Sequence, residues 1–433
     1  KDHNLFPEHF IINLPSNSNY IGGKKLFNIP DNLDESEDRH PLPVVLTSEK
    51  ILDYDEDKLK LEEEWIPQKH NKDYIFKYDG NENDISPTLK YAIKCFILSI
   101  AARNLRMGNN QHHTMLINIT NWNDTNTQIV KLVDTELNDY ILPGLKGNFP
   151  NIINTFKDIW INDFCKTTKE INHMMSKNEI DIGTNTVFKI SEWEEIKEQL
   201  YSKRIQKIEV QKIFGDNKKD VLRYKEYEDG NDYLSVIAIG AIKLSRGLVL
   251  KNLTTSYFKR SSKQYDTLLQ MGRWFGYRNN YLDLCRLIIT DDLKDKFEKA
   301  CWATEKLKKD FSEMGNAEPS DWGLKVRTFP EIANLVPTSA NKMRSSEKMN
   351  MSFAGDKKVT TAFKIDKKSL NTNIDSIRRL ISNMSDRQDL IKKDNLQIWE
   401  SIPTDMIIDF LNSYSAPSMK YESNAKKNNL IEF

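Results

Sequence analysis

The sequence predicts an α/β protein in which a mostly parallel sheet is flanked by helices, with a helical insertion and a helical C-terminal region. Two observations carry this. Short apolar runs at Met115 to Ile119, Ile205 to Phe214, Leu234 to Ala241, Thr254 to Phe258 and Leu282 to Thr290 read as strands. The first of them runs directly into a segment with Ile129, Leu132, Val133 and Leu137 at helical spacing, and a strand followed by a helix is the repeating unit of a parallel sheet. With 433 residues, 39% of them hydrophobic and 29% charged, the chain can build two or three packed units rather than stay disordered.

In chain order, residues 1–80 alternate apolar runs such as Phe10 to Leu14 and Pro43 to Leu46 with Pro, Gly and acidic clusters, which favours loops and short strands. Ser86-Pro87 supplies an N-cap and a proline at the first helical position. Leu89, Ala92, Ile93, Phe96, Ile97 and Ile100 then follow on one helical stripe, so a helix is expected to end near Arg103 to Arg106. Residues 151–199 read as a helical insertion in which Ser191-Glu192-Trp193-Glu194 forms a capping box. Residues 81–150 and 200–290 supply a layer of about five strands. Residues 291–433 read as helical. Leu293, Phe297, Ala300, Leu307, Phe311 and Met314 share a face stopped by Gly315, and further helices are expected at Ile374 to Met384 and at Asp405 to Tyr414, the latter capped by Thr404.

Lys plus Arg and Asp plus Glu are both 63, so no global charge draws the chain to nucleic acid and any such surface must be local. One local candidate is the linker 337–368, in which Lys342, Arg344, Lys348, Lys357, Lys358, Lys364, Lys367 and Lys368 stand among polar residues. The four cysteines are far apart and form no CxxC pair, which fits reduced thiols and a cytoplasmic setting. No apolar run reaches the roughly 18 residues of a membrane span. The opening Lys-Asp-His, without Met or a leader, reads as the start of a fragment.

Chemistry points to Asp266 to Arg278, DTLLQMGRWFGYR, preceded by Ser245-Arg246-Gly247. A guanidinium is a permanent cation with planar donors that match phosphate oxygens, so Arg273 and Arg278 are candidate catalytic groups for phosphoryl transfer. Arg246, Gly247, Gln270 and Gly272 are candidate nucleotide contacts, and Lys243, Ser245, Lys342 and Arg344 candidate nucleic-acid contacts. The plainer reading is a helix whose arginines pair with carboxylates while Trp274, Phe275 and Tyr277 pack inside. No zinc pattern is present: His112-His113 lacks cysteine partners at ligand spacing. Pro30-Asp31 with Glu56-Asp57-Lys58 matches a restriction-nuclease metal site on paper, yet Glu56 lies in a polar run without strand alternation.

Residues 240–290, GAIKLSRGLVL through LCRLIIT, resemble the signature block of the Z-one domain family, described as endonucleases with a superfamily-two helicase-like motor from restriction and anti-phage gene clusters. Leu5-Phe6-Pro7, Tyr20-Ile21-Gly22-Gly23, His113 to Ile117, Pro319 to Arg327 and Asn341 to Arg344 agree with it. The resemblance implies a RecA-like second helicase lobe that acts on DNA with ATP and magnesium. These would be held mainly by a first lobe upstream, for which residues 1–80 serve as a connector. It also implies partner ATPases of the MutL and MORC type. One departure stands out: the superfamily pattern is Gln-x-x-Gly-Arg-x-x-Arg, whereas Gln270 here is one residue nearer Gly272 and Arg278 is displaced. The alternatives are a metal-dependent endonuclease and a non-catalytic scaffold for a partner ATPase.

Overall fold

A computed structural model describes residues 12–14, 16–30, 40–67, 69–149, 151–183, 187–213, 222–240, 248–314, 336–338, 367–385, 390–393, 396–399 and 402–414. The chain divides into two compact units, one within Lys1–Asp31 and His40–Ser346, the other within Asn32–Arg39 and Glu347–Phe433.

The first unit is built on a six-stranded sheet. Its short ladder strand β1 (Tyr20–Ile21) precedes β2 (Val45–Thr47), β3 (His113–Asn118), β4 (Glu209–Ile213), β5 (Ser235–Gly240), β6 (Leu253–Phe258), β7 (Gly276–Tyr277) and β8 (Arg286–Ile289). The large sheet has the order β2-β8-β6-β3-β5-β4, and every pairing in it is parallel. After β3 the chain builds β4 and β5 on one side, then crosses to build β6 and β8 on the other. The expected α/β class is therefore observed with one strand more than expected. Val45–Thr47, in the segment read as a connector, joins the sheet as an edge, its buried residues pairing with β8.

Alternation along β3 sends Met115 and Ile117 into one core and Leu116 into the other. The first core rests on the helix Pro87–Met107, where Ser86 Oγ accepts the Leu89 N–H at 3.2 Å as the sequence anticipates. Phe156, Trp160 and Phe164 of the insertion and Ile196 and Leu200 join the same core, so the insertion packs on the sheet. The second core takes Leu268, Trp274, Leu293 and Phe297.

Several boundaries differ from the sequence reading. The capping box is one residue later, with Glu192 as N-cap and Glu195 at N3, because it is the Glu192 carboxylate that reaches the N3 amide. Leu282–Leu284 form a 3-10 turn, and the strand begins only at Arg286. Lys203–Gln206 turn as helix before β4. Asn151–Ile159 and Cys165–Ser176 are α-helical and flank a π-helical turn at Trp160–Phe164. Asp291–Met314 is helical as expected; Gly315 lies outside the described residues.

In the second unit, helix Lys367–Ser385 meets helix Thr404–Ser413 through Ser376 Oγ, which donates to the Ser413 carbonyl at 3.2 Å. Pro403, not Thr404, is the N-cap, and its side chain makes no capping bond. An antiparallel pair, β9 (Leu390–Lys393) and β10 (Leu396–Trp399), breaks the helical region the sequence suggested. Its apolar runs of four residues carry too little periodicity to be separated from loop.

Candidate functional site

Helix Tyr265–Met271 follows β6 and carries Gln270 in its last turn. Gly272 then closes it. Its φ of −69° is ordinary, so the requirement for glycine here is space: a Cβ would stand 2.5 Å from Phe275 Cε2 and 3.1 Å from the Leu269 carbonyl. The aromatic residues behind the turn fix it in the core. Trp274 lies edge-on to Phe258 and Phe297, with ring centroids 5.2 Å and 5.1 Å away.

The turn is clamped from outside the sheet as well. β7, the Gly276–Tyr277 pair within the same turn, forms an antiparallel ladder with Tyr20–Ile21 of β1. Tyr20 and Tyr277 meet edge-to-face at 5.5 Å, and Asn17 Nδ2 donates to the Tyr277 hydroxyl at 3.2 Å. Two pieces of sequence more than 250 positions apart, Tyr20-Ile21 and Phe275-Gly276-Tyr277, thus form one element.

Arg273 is half-buried, and its Nη2 donates to the Leu248 carbonyl. Leu248 directly follows Ser245-Arg246-Gly247, so the fold brings the chain leaving the first motif against the arginine of the second. Lys243, Ser245, Arg246, Gly247, Lys342 and Arg344 lie outside the described residues, as does most of the basic linker 337–368.

Arg278 folds back on its own turn. Its Nη1 donates to the Tyr277 carbonyl at 2.8 Å and its Nη2 to the Trp274 carbonyl at 3.4 Å. Its guanidinium carbon lies 5.6 Å from the centre of the Tyr281 ring. Gly276 permits this: its φ is +149°, and a Cβ there would come within 3.0 Å of Arg278 Nη1. A second guanidinium, Arg103, lies 4.4 Å from the same ring centre. Arg103 is fully buried and donates to the His112 carbonyl at 3.2 Å, His113 Nδ1 at 3.0 Å and Gln111 Oε1 at 2.6 Å. Among the described residues, neither Arg273, Arg278 nor Arg103 forms an ion pair with a carboxylate. The pairing of Arg273 and Arg278 with acids that the plainer sequence reading required is absent there, although its packed Trp274 is present. Tyr277 departs from that reading, being 52% exposed.

Burial pushes the Tyr281 hydroxyl above its ordinary value, and the charge of Arg278 pulls against it. Burial likewise lowers the Arg103 guanidinium. A cavity of about 20 Å³ between Thr254, Trp274, Arg278 and Cys285 has room for a water and nothing larger. A nucleotide does not fit inside it.

Arg103 and Tyr281 were not among the residues singled out from sequence. A signal existed for the first: Leu89, Ala92, Phe96, Ile100 and Arg103 follow one helical stripe, so an arginine sits where the stripe demands burial. Tyr281 gives no such signal.

His112 serves the frame. The Leu234 N–H donates to His112 Nδ1 at 2.9 Å, so the ring's proton is on Nε2, 2.9 Å from Glu228 Oε1. Among the described residues no group of three His, Cys, Asp or Glu side chains is placed to hold a metal ion. Glu56-Asp57-Lys58 opens the helix Glu56–Trp65 rather than a strand, and Asp31 is outside the described residues. Among the described residues no helix is long and apolar enough to cross a membrane.

No curated protein and no solved structure matches the chain significantly. The Z1 domain matches residues 88–333, a span that runs from the first turn of the helix under the sheet through both arginine-bearing segments and covers more than half of the 433 residues. The chain belongs to the Z1 domain family.

Proposed function

We propose that the first unit is the second, RecA-like lobe of an ATP-driven motor acting on DNA, and that Arg273 and Arg278 face a nucleotide held with magnesium by a companion lobe. The observation that carries this reading is the bond from Arg273 to the Leu248 carbonyl, which couples the Gln-Met-Gly-Arg turn to the segment leaving Ser245-Arg246-Gly247. A motor lobe needs that coupling, because charge sensed at the nucleotide must move a loop that touches the nucleic acid. The arginines also have no acid to neutralise them among the described residues, and a phosphoryl group in transfer supplies the missing negative charge. The parallel sheet supports the reading at the level of fold analogy alone.

Work in restriction or anti-phage defence, beside a MutL- or MORC-type ATPase, belongs to the same proposal and rests on the family. The test uses the protein together with its ATP-binding lobe. Arg273→Ala and Arg278→Ala should each lower DNA-stimulated ATP turnover by roughly 10³-fold or more, as removal of a transferring-phosphate arginine does. Turnover at the wild-type rate in both variants removes the assignment. Cleavage of plasmid by this chain with magnesium or manganese and no ATP would favour the endonuclease alternative instead.

A further inference from the structure

Arginines near this site fall into two kinds. Arg106 meets Asp283 through two bonds of 2.7 Å, Arg286 meets Asp163 at 2.8 Å, and Arg204 meets Asp232 at 2.9 Å. The acid nearest in sequence to Tyr281 is therefore already committed: Asp283 is fully buried, bound by Arg106 and by the Thr168 hydroxyl at 2.7 Å. Arg103 and Arg278 share no such partner among the described residues, and both are placed on Tyr281.

A cation over an aromatic ring is held by the negative face of the ring, which fixes its position without neutralising its charge. Arg103 is itself held in place: it is fully buried, and the consecutive residues Gln111, His112 and His113 accept three hydrogen bonds from its guanidinium. It fixes Tyr281 from within, and Tyr281, 8% exposed, carries Arg278 toward the surface. Two guanidinium charges around one ring repel each other, and the fold keeps them there. An anion arriving at Arg278 relieves that repulsion.

We propose that Tyr281 and Arg103 are positioning residues that hold Arg278 as a preformed receptor for phosphate, while Arg273 braces the chain at Leu248. This rests on the proposed function for the identity of the phosphate carrier, a nucleotide, but the receptor itself is a property of this chain alone. Its ligand chemistry is a terminal or bridging phosphate. A nucleic-acid backbone offers the same group.

The test is calorimetric titration of the 433-residue chain with sodium tripolyphosphate, repeated with a fluorescein-labelled oligothymidylate followed by anisotropy. The wild-type chain should bind tripolyphosphate with no companion lobe present. Arg278→Ala should abolish binding. Tyr281→Leu should weaken it roughly tenfold, and Tyr281→Phe, which keeps the ring but loses the hydroxyl that the Arg278 side chain also engages, should recover part of the loss. Melting temperature without anion separates this from misfolding, since the Phe and Leu variants must be compared where both melt cooperatively. Should Tyr281→Leu prove unfolded, Arg278→Lys serves in its place: it keeps the charge but loses the planar fork and stack, and is expected to weaken binding.

Three outcomes overturn the proposal: no tripolyphosphate binding by the wild-type chain, equal binding by Arg278→Ala, or equal binding by a folded Tyr281→Leu. Sensitivity of oligothymidylate binding alone to these variants overturns it as stated, by assigning Arg278 to the nucleic-acid strand. None of these changes the turnover test above, so failure of the receptor and failure of the motor reading are separable.

Discussion

Two clusters of arginine, on neighbouring stretches of the same chain, differ in what surrounds the charge. Arg286 is fully buried against Asp163, which also accepts from the Tyr91 hydroxyl at 2.6 Å, while the Phe164 ring stands 3.9 Å from the guanidinium. Arg278 stands on Tyr281 near Arg103, and no carboxylate answers either of them among the described residues. Both clusters use an aromatic face, so the ring is not what separates them. The acid is. A charge satisfied inside the chain is architecture, and one left unsatisfied costs stability unless something from outside completes it.

The largest expected effect attacks the matched cluster. Asp163→Ala leaves the Arg286 charge buried and unpaired, and should lower unfolding free energy by about 3–5 kcal/mol in urea denaturation. A loss below about 1 kcal/mol would show that the pair is not what holds Arg286, and the contrast between clusters would weaken.

Gly276→Ala tests the unmatched cluster through its backbone. The left-handed φ and the 3.0 Å approach to Arg278 Nη1 predict a loss of about 1–3 kcal/mol, together with weaker tripolyphosphate binding. Unchanged binding in a folded Gly276→Ala chain would mean that the fold-back of Arg278 does not matter.

A half-buried acid without enough compensation gives the opposite sign of the same lesson. Burial raises Glu298 to about 7, with Lys294 lowering it and Asp295 raising it. A carboxyl whose folded value is raised binds protons more tightly in the folded state, so its contribution to stability falls as pH rises from about 4.5 to about 7. Glu298→Gln should flatten that part of the stability profile and stabilise the chain at pH 8 by on the order of 1 kcal/mol. An unaltered slope in thermal melts across this window would place the titration elsewhere.

The smallest effect is a control on the frame: Ser86→Ala removes the N-cap bond to Leu89 and should cost about 1 kcal/mol without altering anion binding. A change in anion binding would tie the helix start to the site, contrary to the comparison.

Much of the frame was legible from the chain. Helix Pro87–Met107 follows from Ser86-Pro87 and one apolar stripe, and β3, β5 and β6 from apolar runs of about the right length, because period and capping are local properties. The Gln-Met-Gly-Arg turn stands out in the chain by residue type and by the resemblance around it, and the structure places it directly after helix Tyr265–Met271. The boundaries that slipped, at Glu192 and at Leu282–Leu284, turned on which carboxylate reaches an amide and on where the chain enters the sheet.

What sequence determined by itself, then, is the α/β class, the helix carrying Arg103 and the short segment holding Arg273 and Arg278. Tertiary structure alone decided that Val45–Thr47 edges the sheet, that Tyr20–Ile21 clamps Gly276–Tyr277, that Arg273 meets Leu248, and that Arg103 and Arg278 share Tyr281. The physical reason is range. Periodicity and capping act over a few residues, whereas the partner of a charge is chosen by packing between segments that lie up to hundreds of positions apart.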